Sequence, residues 1–257
     1  VQKDINNPFD LPIPDESDYS IFYLPKSCKR ILLLSDIHIP FHDVKSLTKA
    51  IQLGIDNKVD TVLLNGDIAD NYQVSRFEKD PRKRSFKSEI EMVKDFLKRI
   101  RLTFNKAKIY YKQGNHEERW ESFLKRKAPE LLDMTEFKFD VILGLNELDI
   151  SYISDKRIIK VGNLNILHGH ELGSSSFSPV NPARSFFLRA KTNIIAGHHH
   201  QTSEHIEHDI NGNHIKAYST GCLCSLVAEY MPLNKWNHGI SLITIKNDKA
   251  LVQNIRL

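Results

Sequence analysis

The sequence predicts an α/β fold, two packed β-sheets with helices outside, and three features carry that prediction. In the first half, short apolar runs alternate with segments of helical periodicity, the βα pattern of a mainly parallel sheet. In the second half, short strands are separated by hairpin turns. Along the whole chain, the polar residues richest in chemistry fall where the apolar runs end. The 257 residues allow one or two domains, and that length buries a core without disulfides. A composition of 40% hydrophobic and 26% charged residues excludes wholesale disorder and collagen-like repeats. No apolar run approaches the roughly 18 residues of a spanning helix, so no membrane association is expected.

Residues 1–28 read as an extended arm, because Pro8, Pro12, Pro14 and Pro25 fix φ and interrupt any helix. Residues 29–257 read as a single domain, since no linker, repeat or low-complexity tract divides them. Arg30 to Leu34 is a buried strand. Asp43 to Asp56 is a helix with Val44, Leu47, Ala50, Ile51 and Ile55 on one stripe. Thr61 to Leu64 is a second buried strand, and Phe86 to Phe104 a second helix built on Ile90, Val93, Phe96, Leu97 and Ile100. Lys108 to Lys112 is a third strand, followed by a helix over His116 to Lys127. Ser151 to Ile153, Arg157 to Val161 and Leu164 to Leu167 are short strands. Pro182 to Lys191 fits a helix and Asn193 to Ala196 another strand. Glu204 to Ile210 and His214 to Ser219 flank Asn211-Gly212, which predicts a type I′ hairpin with positive φ at both central residues. Ile240 to Ile245 and Leu251 to Ile255 form a last hairpin.

The net charge of +4 permits phosphate-bearing partners without requiring them. Three cysteines do not make a disulfide scaffold, and they point to a reducing compartment. With no basic-then-apolar leader in the residues given, the expected location is cytoplasmic. Oligomeric state is not readable.

The ligand-capable residues are patterned. The first strand runs into Ser35-Asp36-Ile37-His38, the second into Asn65-Gly66-Asp67 and the third into Gly114-Asn115-His116-Glu117. Leu164 to Leu167 runs into His168-Gly169-His170, and the strand ending at Ala196 into Gly197-His198-His199-His200. In open α/β sheets the carboxyl edge is where ligands bind. Asp36 and His38, like His198 and His200, are two residues apart. In extended backbone such pairs point the same way, roughly 6 to 7 Å apart. A donor set of imidazole, carboxylate and amide suits Mn, Fe or Zn.

These five motifs, in this order over roughly residues 31–200, resemble those of the calcineurin-like metallophosphoesterases, with the closer likeness to compact bacterial and phage-type members. The resemblance implies a four-layer αββα sandwich of two mixed sheets flanked by helices, in agreement with the pattern above. It implies one divalent metal held by Asp36, His38, Asp67 and His200. A second would be held by Asp67, Asn115, His168 and His198, with Asp67 bridging. Manganese is the first choice of metal; iron, zinc, magnesium and nickel are alternatives. His116 would be the acid at the leaving group. The reaction implied is hydrolysis of a phosphate ester by a hydroxide shared between the metals, with His116 protonating the departing oxygen.

Other residues have two readings each. Asp70 is either a partner of a ligating histidine or a cap. Arg119 could stabilise charge on the phosphate, and His170 is a substrate contact or a partner of a ligand. His199 is expected to point away. Cys222 and Cys224 read as small core residues. From Arg76 to Lys106, eleven Lys or Arg stand against five Asp or Glu, a local excess larger than that of the whole chain. Arg82, Lys83 and Arg84 could overhang the metal site and contact DNA or RNA; the alternative is a solvated helix face. The leading expectation is therefore a phosphodiesterase or nuclease acting on nucleic acid or nucleotides. Small phosphate esters, a phosphoprotein, or a non-catalytic binding role are the alternatives. Asp70 is followed by Asn71-Tyr72, not the Arg-Gly of the protein-phosphatase branch, and Asp70 itself stands where the purple acid phosphatases place a Tyr, so the resemblance is not to either branch.

Overall fold

The computed structural model describes residues 7–12, 19–78, 85–173, 180–227 and 231–257. Its elements are β1 (Phe22–Tyr23), β2 (Arg30–Leu34), α1 (Val44–Asp56), β3 (Thr61–Asn65), α2 (Phe86–Thr103), β4 (Lys108–Lys112), α3 (Glu118–Lys127), α4 (Phe139–Leu143) and β5 (Ile150–Ile153). They continue with β6 (Ile159–Val161), β7 (Leu164–Leu167), α5 (Pro182–Ala190), β8 (Ile194–Ala196), β9 (Ser203–His208), β10 (His214–Ser219), β11 (Gly239–Lys246) and β12 (Lys249–Arg256).

Two mixed six-stranded sheets result. The first runs β12-β11-β2-β3-β4-β5, with β2 to β5 parallel and the β11–β12 hairpin antiparallel at one side. The second runs β1-β6-β7-β8-β10-β9, with β7, β8 and β10 parallel. Strand alternation sorts the core into layers. Ile31, Leu33, Leu63 and Tyr110 face the second sheet and pack on Ile159, Leu164, Ile166 and Ile195. Leu32, Leu34, Val62, Leu64, Ile109 and Tyr111 face outward and are covered by α1 and α2 through Leu47, Ala50, Val93, Leu97 and Ile100. On the far side, α5 lays Ala183 and Phe186 over Leu167, Ala196 and Ala217. The order is thus helix, sheet, sheet, helix. Runs such as Ile31–Leu34 are continuously apolar because both faces of these strands are buried.

Local chemistry sets the helix starts. Asp43 caps α1 by accepting from the Ser46 N–H, and Ser85 caps α2 from Ser88. Helix α3 starts two residues later than its periodicity suggests; His116 and Glu117 lie in the turn before it, where the His116 N–H donates to Asp67 Oδ1 at 2.9 Å. The β9–β10 connection also differs from the expected type I′ turn. Among its residues only Gly212 has positive φ, 78°. The turn is a five-residue loop built on Asp209, whose Oδ1 accepts from the N–H groups of Asn211 and Asn213. From the N-terminal arm, Phe22 and Tyr23 add a parallel edge to β6, and Leu24 and Cys28 reach the inter-sheet core.

Candidate metal centre

The carboxyl ends of β2, β3, β4, β7 and β8 meet at one edge of the sandwich. The residues there do not continue in extended backbone. Asp36, His38, Asp67, His198 and His200 all have positive φ, between 50° and 68°. The expectation that paired residues share a face through extended geometry is therefore replaced by another route: the chain turns at each of these residues. Left-handed backbone costs a non-glycine residue of order 1 to 3 kcal/mol and persists only where its surroundings over-determine it. Those surroundings are visible. The Asp36 N–H donates to Gly66 O at 3.1 Å, and the His38 N–H to Asp67 O at 2.9 Å. The His198 N–H donates to Asp36 Oδ2 at 2.9 Å. Gly66, at φ 84°, allows the close approach: a Cβ there would lie 2.5 Å from His168 Nδ1.

Two groups of donor atoms converge around Asp67. In the first, His38 Nε2 lies 3.1 Å from His200 Nε2, 4.0 Å from Asp36 Oδ1 and 3.8 Å from Asp67 Oδ2. His200 Nε2 lies 3.2 Å from Asp36 Oδ1. Asp70 Oδ1 sits 3.2 Å from His38 Nδ1, which assigns the proton to Nδ1 and leaves Nε2 free to bind a cation. In the second, His168 Nε2 lies 3.2 Å from Asp67 Oδ2, and His198 completes a cluster with both. The His168 Nδ1–H donates to Asn65 O at 2.8 Å, again leaving Nε2 outward. His168 Nε2 and Asn115 Oδ1 are both buried and have no hydrogen-bond partner among the described residues. Buried polar atoms without partners are costly; a cation beside Asp67 would satisfy His168 Nε2, and Asn115 sits in the chain between Gly114, which packs against Asp67, and His116, whose N–H donates to Asp67 Oδ1. The donor set therefore fits divalent metal.

His116 stands beside this centre. Its Nδ1 is 2.8 Å from Asp70 O, its Nε2 is 3.8 Å from Asp67 Oδ2, and its ring meets that of His38 edge-on at 4.4 Å. Arg119 donates to Asp70 O at 2.7 Å, and its Nη2 lies 2.8 Å from His116 Nε2. His170 Nε2 lies 2.9 Å from Glu118 Oε1. Its ring is 5.4 Å from that of His168.

Electrostatics follow from burial and close opposite charge. Burial pushes the Asp36 carboxyl up, but the imidazoles of His200 and His168 outweigh it and hold it well below the usual carboxylate range. Asp67 is held low in the same way, against burial, by His116 and His168. Burial would lower His168, yet the Asp67 and Asp36 charges push it up to about 10, so that without a cation a proton occupies the Nε2 position facing Asp67 that a metal would take. His198 is pulled down to about 3 by burial and by the neighbouring His168. His116 is raised, burial being outweighed chiefly by Asp67 and Asp70.

The structure thus gathers Asp36, His38, Asp67, His168, His198 and His200 in one place. Asn115, His116, Asp70, Arg119 and His170 lie around them. His199 turns to the Phe186 ring, at 5.4 Å. Arg82, Lys83 and Arg84 lie outside the described residues. Of the basic residues on α2, Lys87 and Arg99 pair with carboxylates one turn away, and Arg101 donates to the carbonyls of Ala107, Leu148 and Asp149.

Two participants received no site role from the sequence. Glu117 is the last residue of the third motif; fully buried, it accepts from the N–H groups of Asp67, Ile68, Ala69 and Gly114 and from the Tyr111 hydroxyl. It shapes the loop that carries Asp67. Cys224 is buried, as a core residue is, and in addition its Sγ is 3.9 Å from His200 Nδ1 and within the group of donor atoms that includes His38. Its C-x-C spacing alone does not reveal that placement.

A family model for the calcineurin-like phosphoesterases matches residues 29–228. The chain is 27% identical over 229 residues to the Gene 54 protein of Mycobacterium phage D29, covering 84% of this chain and 89% of that protein. Among solved structures, a dimetal phosphatase from Danio rerio is similar with a TM-score of 0.46 at 13% identity, covering 89% of this chain and 96% of that one. Nuclease MPE from Pseudomonas putida is similar with a TM-score of 0.37 at 13% identity, covering 87% of each chain.

Proposed function

Because the chain belongs to the calcineurin-like phosphoesterase family, a family of metal-dependent phosphoester hydrolases, we propose that it is a two-metal phosphodiesterase acting on nucleic acid or nucleotides. Asp36, His38, Asp67 and His200 would hold one divalent cation. Asp67, Asn115, His168 and His198 would hold the other, with manganese the first choice. The observation that carries the two-metal reading is the Asp67 carboxylate, which faces His38 on one side and His168 on the other, with Asn115 held next to it between Gly114 and His116. When bound, such cations supply Lewis-acid stabilisation of phosphate charge and acidify a water at neutral pH.

The protein's own groups do the rest. Asp67 and Asp70 favour the protonated form of His116, against burial and the neighbouring Arg119 charge, and that form is the one that can protonate a departing alkoxide. Its Nδ1–H is directed at Asp70, so Nε2, which here accepts from Arg119, is the atom left to serve the leaving oxygen when Arg119 turns to the phosphate. Arg119, already beside Nε2, supplies a fixed positive charge where charge develops on the phosphate. Asp70 orients both His38 and His116 and so couples ligand geometry to proton delivery.

The nucleic-acid reading is supported by the local basic excess between Arg76 and Lys106; a phosphoesterase for small esters is the alternative. The test is a parallel assay of single-stranded DNA, duplex DNA, RNA, cyclic nucleotides and chromogenic mono- and diesters with Mn(II). Asp67→Asn serves as control, with metal content measured in both proteins. We expect turnover of diesters by the wild type, and loss of both metals and of turnover in the variant. Two tightly held metals in the variant would reject the bridging role. Activity confined to monoesters would reject the diesterase assignment.

A further inference from the structure

We infer that Lys112 and Glu171 form a positioning pair that fixes the His168 loop for cation binding, an inference that rests on the metal reading above. Lys112 is the last residue of β4 and has no exposed surface. Two residues after Tyr110, it lies on the strand face that looks across to the second sheet. Its Nζ lies 2.9 Å from Glu171 Oε1 and donates to Arg157 O at 2.8 Å. Glu171 follows β7 in the other sheet, so the ion pair crosses the sandwich.

The rest of the Glu171 carboxylate is spent on its own loop. Oε1 accepts from the His168 N–H at 3.1 Å, and Oε2 from the Gly169 N–H at 2.6 Å. Gly169 sits at φ 130°, which L side chains rarely adopt, and this turn brings its N–H onto the same carboxylate as that of His168. The His168 ring is fixed separately by Asn65 O, and Asn65 is the register partner of Lys112 on β3. Asn115 comes three residues after Lys112, and His168 three residues before Glu171. The pair therefore ties together the two strand ends that contribute Asn115 and His168, across two different sheets.

Stability alone does not account for it. A buried ion pair is on average no better than a hydrophobic pair of similar volume. What the charges add here is a defined spacing between two loops, with one carboxylate oxygen bound to the backbone N–H of His168 and the other to that of Gly169, the next residue.

The test compares Lys112→Met/Glu171→Leu, which leaves no unpaired buried charge, and Glu171→Gln with the wild type. Mn(II) binding is followed by electron paramagnetic resonance and calorimetry on the full chain, with Tm measured alongside. In a variant that still melts cooperatively, we expect one Mn(II) bound as in the wild type. We expect the second to be weakened by about 10- to 100-fold, the range typical for lost partners of metal ligands. Excess Mn(II) should restore the double occupancy. Unchanged affinity for both ions in either folded variant would overturn the inference. Should the double variant fail to fold, Glu171→Gln decides by the same criteria. Loss of both ions to the same extent, in step with Tm, would also overturn it, by making the pair merely structural. A wild type that takes up no Mn(II) would remove the metal reading itself, and this inference with it.

Discussion

His116 illustrates how position, more than residue type, defines a role. Its Nδ1 is committed to Asp70 and its Nε2 to the space shared with Arg119 and Asp67. We expect His116→Ala to retain metal and to lose about 10²- to 10⁴-fold in rate on alkyl diesters, and far less on activated phenolates. An equal loss across a leaving-group series would argue against proton donation. Glu89 is a second case. It is only 3% exposed and accepts from the Asn71 N–H. Burial, with the Asp70 charge, pushes its carboxyl up to about 7. A folded-state pKa above the unfolded value means that the stability linked to the neutral acid is fully present below pH 4.5 and lost as pH rises through about 7. Glu89→Gln keeps an acceptor for Asn71 and cannot ionise. Urea unfolding of the metal-free proteins should therefore show the variant gaining on the wild type by up to about 3 kcal/mol between pH 4 and 8. A difference that does not vary with pH would exclude Glu89 as the titrating group.

At the scale of elements, the helices pack on the first sheet at close quarters. Gly54 of α1 faces Leu32 of β2 and Phe104 beyond α2; a Cβ there would lie 2.7 Å from Leu32 Cδ2 and 3.0 Å from Phe104 Cζ. Alanine would gain roughly 1 kcal/mol of helix propensity, whereas overpacking a tight core costs about 1 to 3 kcal/mol. Leu32 is fully buried and has little room to move, so Gly54→Ala should destabilise by about 1 kcal/mol in chemical denaturation. A more stable variant would show that Leu32 and Phe104 can give way. Strand placement was legible because both faces of β2, β3 and β4 are buried and read as apolar runs. The Asn211-Gly212 turn was not, because the side chain of Asp209, outside the dipeptide, captures two of the loop's N–H groups.

For the whole molecule, the open question is what the sandwich edge receives. No helix among the described residues is long and apolar enough to cross a membrane. If Arg82, Lys83 and Arg84 guide a nucleic acid, their contacts should be to phosphates and indifferent to sequence. Replacing all three by Ala should then flatten the salt dependence of single-strand binding by up to about 2 in log–log slope. It should weaken oligonucleotide cleavage and spare a small chromogenic diester. Equal effects on both substrates, with an unmoved slope, would favour small phosphate esters.

Read alone, the sequence determined the alternation of strands and helices, the pairing of the chain into two sheets with helices outside, and the polar residues delivered at five strand ends. Those features are local: apolar periodicity reports burial of the segment that carries it, and a motif after a strand reports what that strand presents. Only the tertiary structure decided which donor atoms are left unpartnered, that five of the candidate ligands turn through left-handed backbone, and that Lys112, Glu117, Glu171 and Cys224 stand behind them. Lys112 reads as an ordinary polar end of a strand until β7 brings Glu171 to its ammonium group. Glu117 reads as the start of a helix until the Asp67 loop, some 50 residues earlier in the chain, turns its N–H groups onto the carboxylate. The energy of each pairing depends on separations that chain folding sets, and no local pattern encodes them.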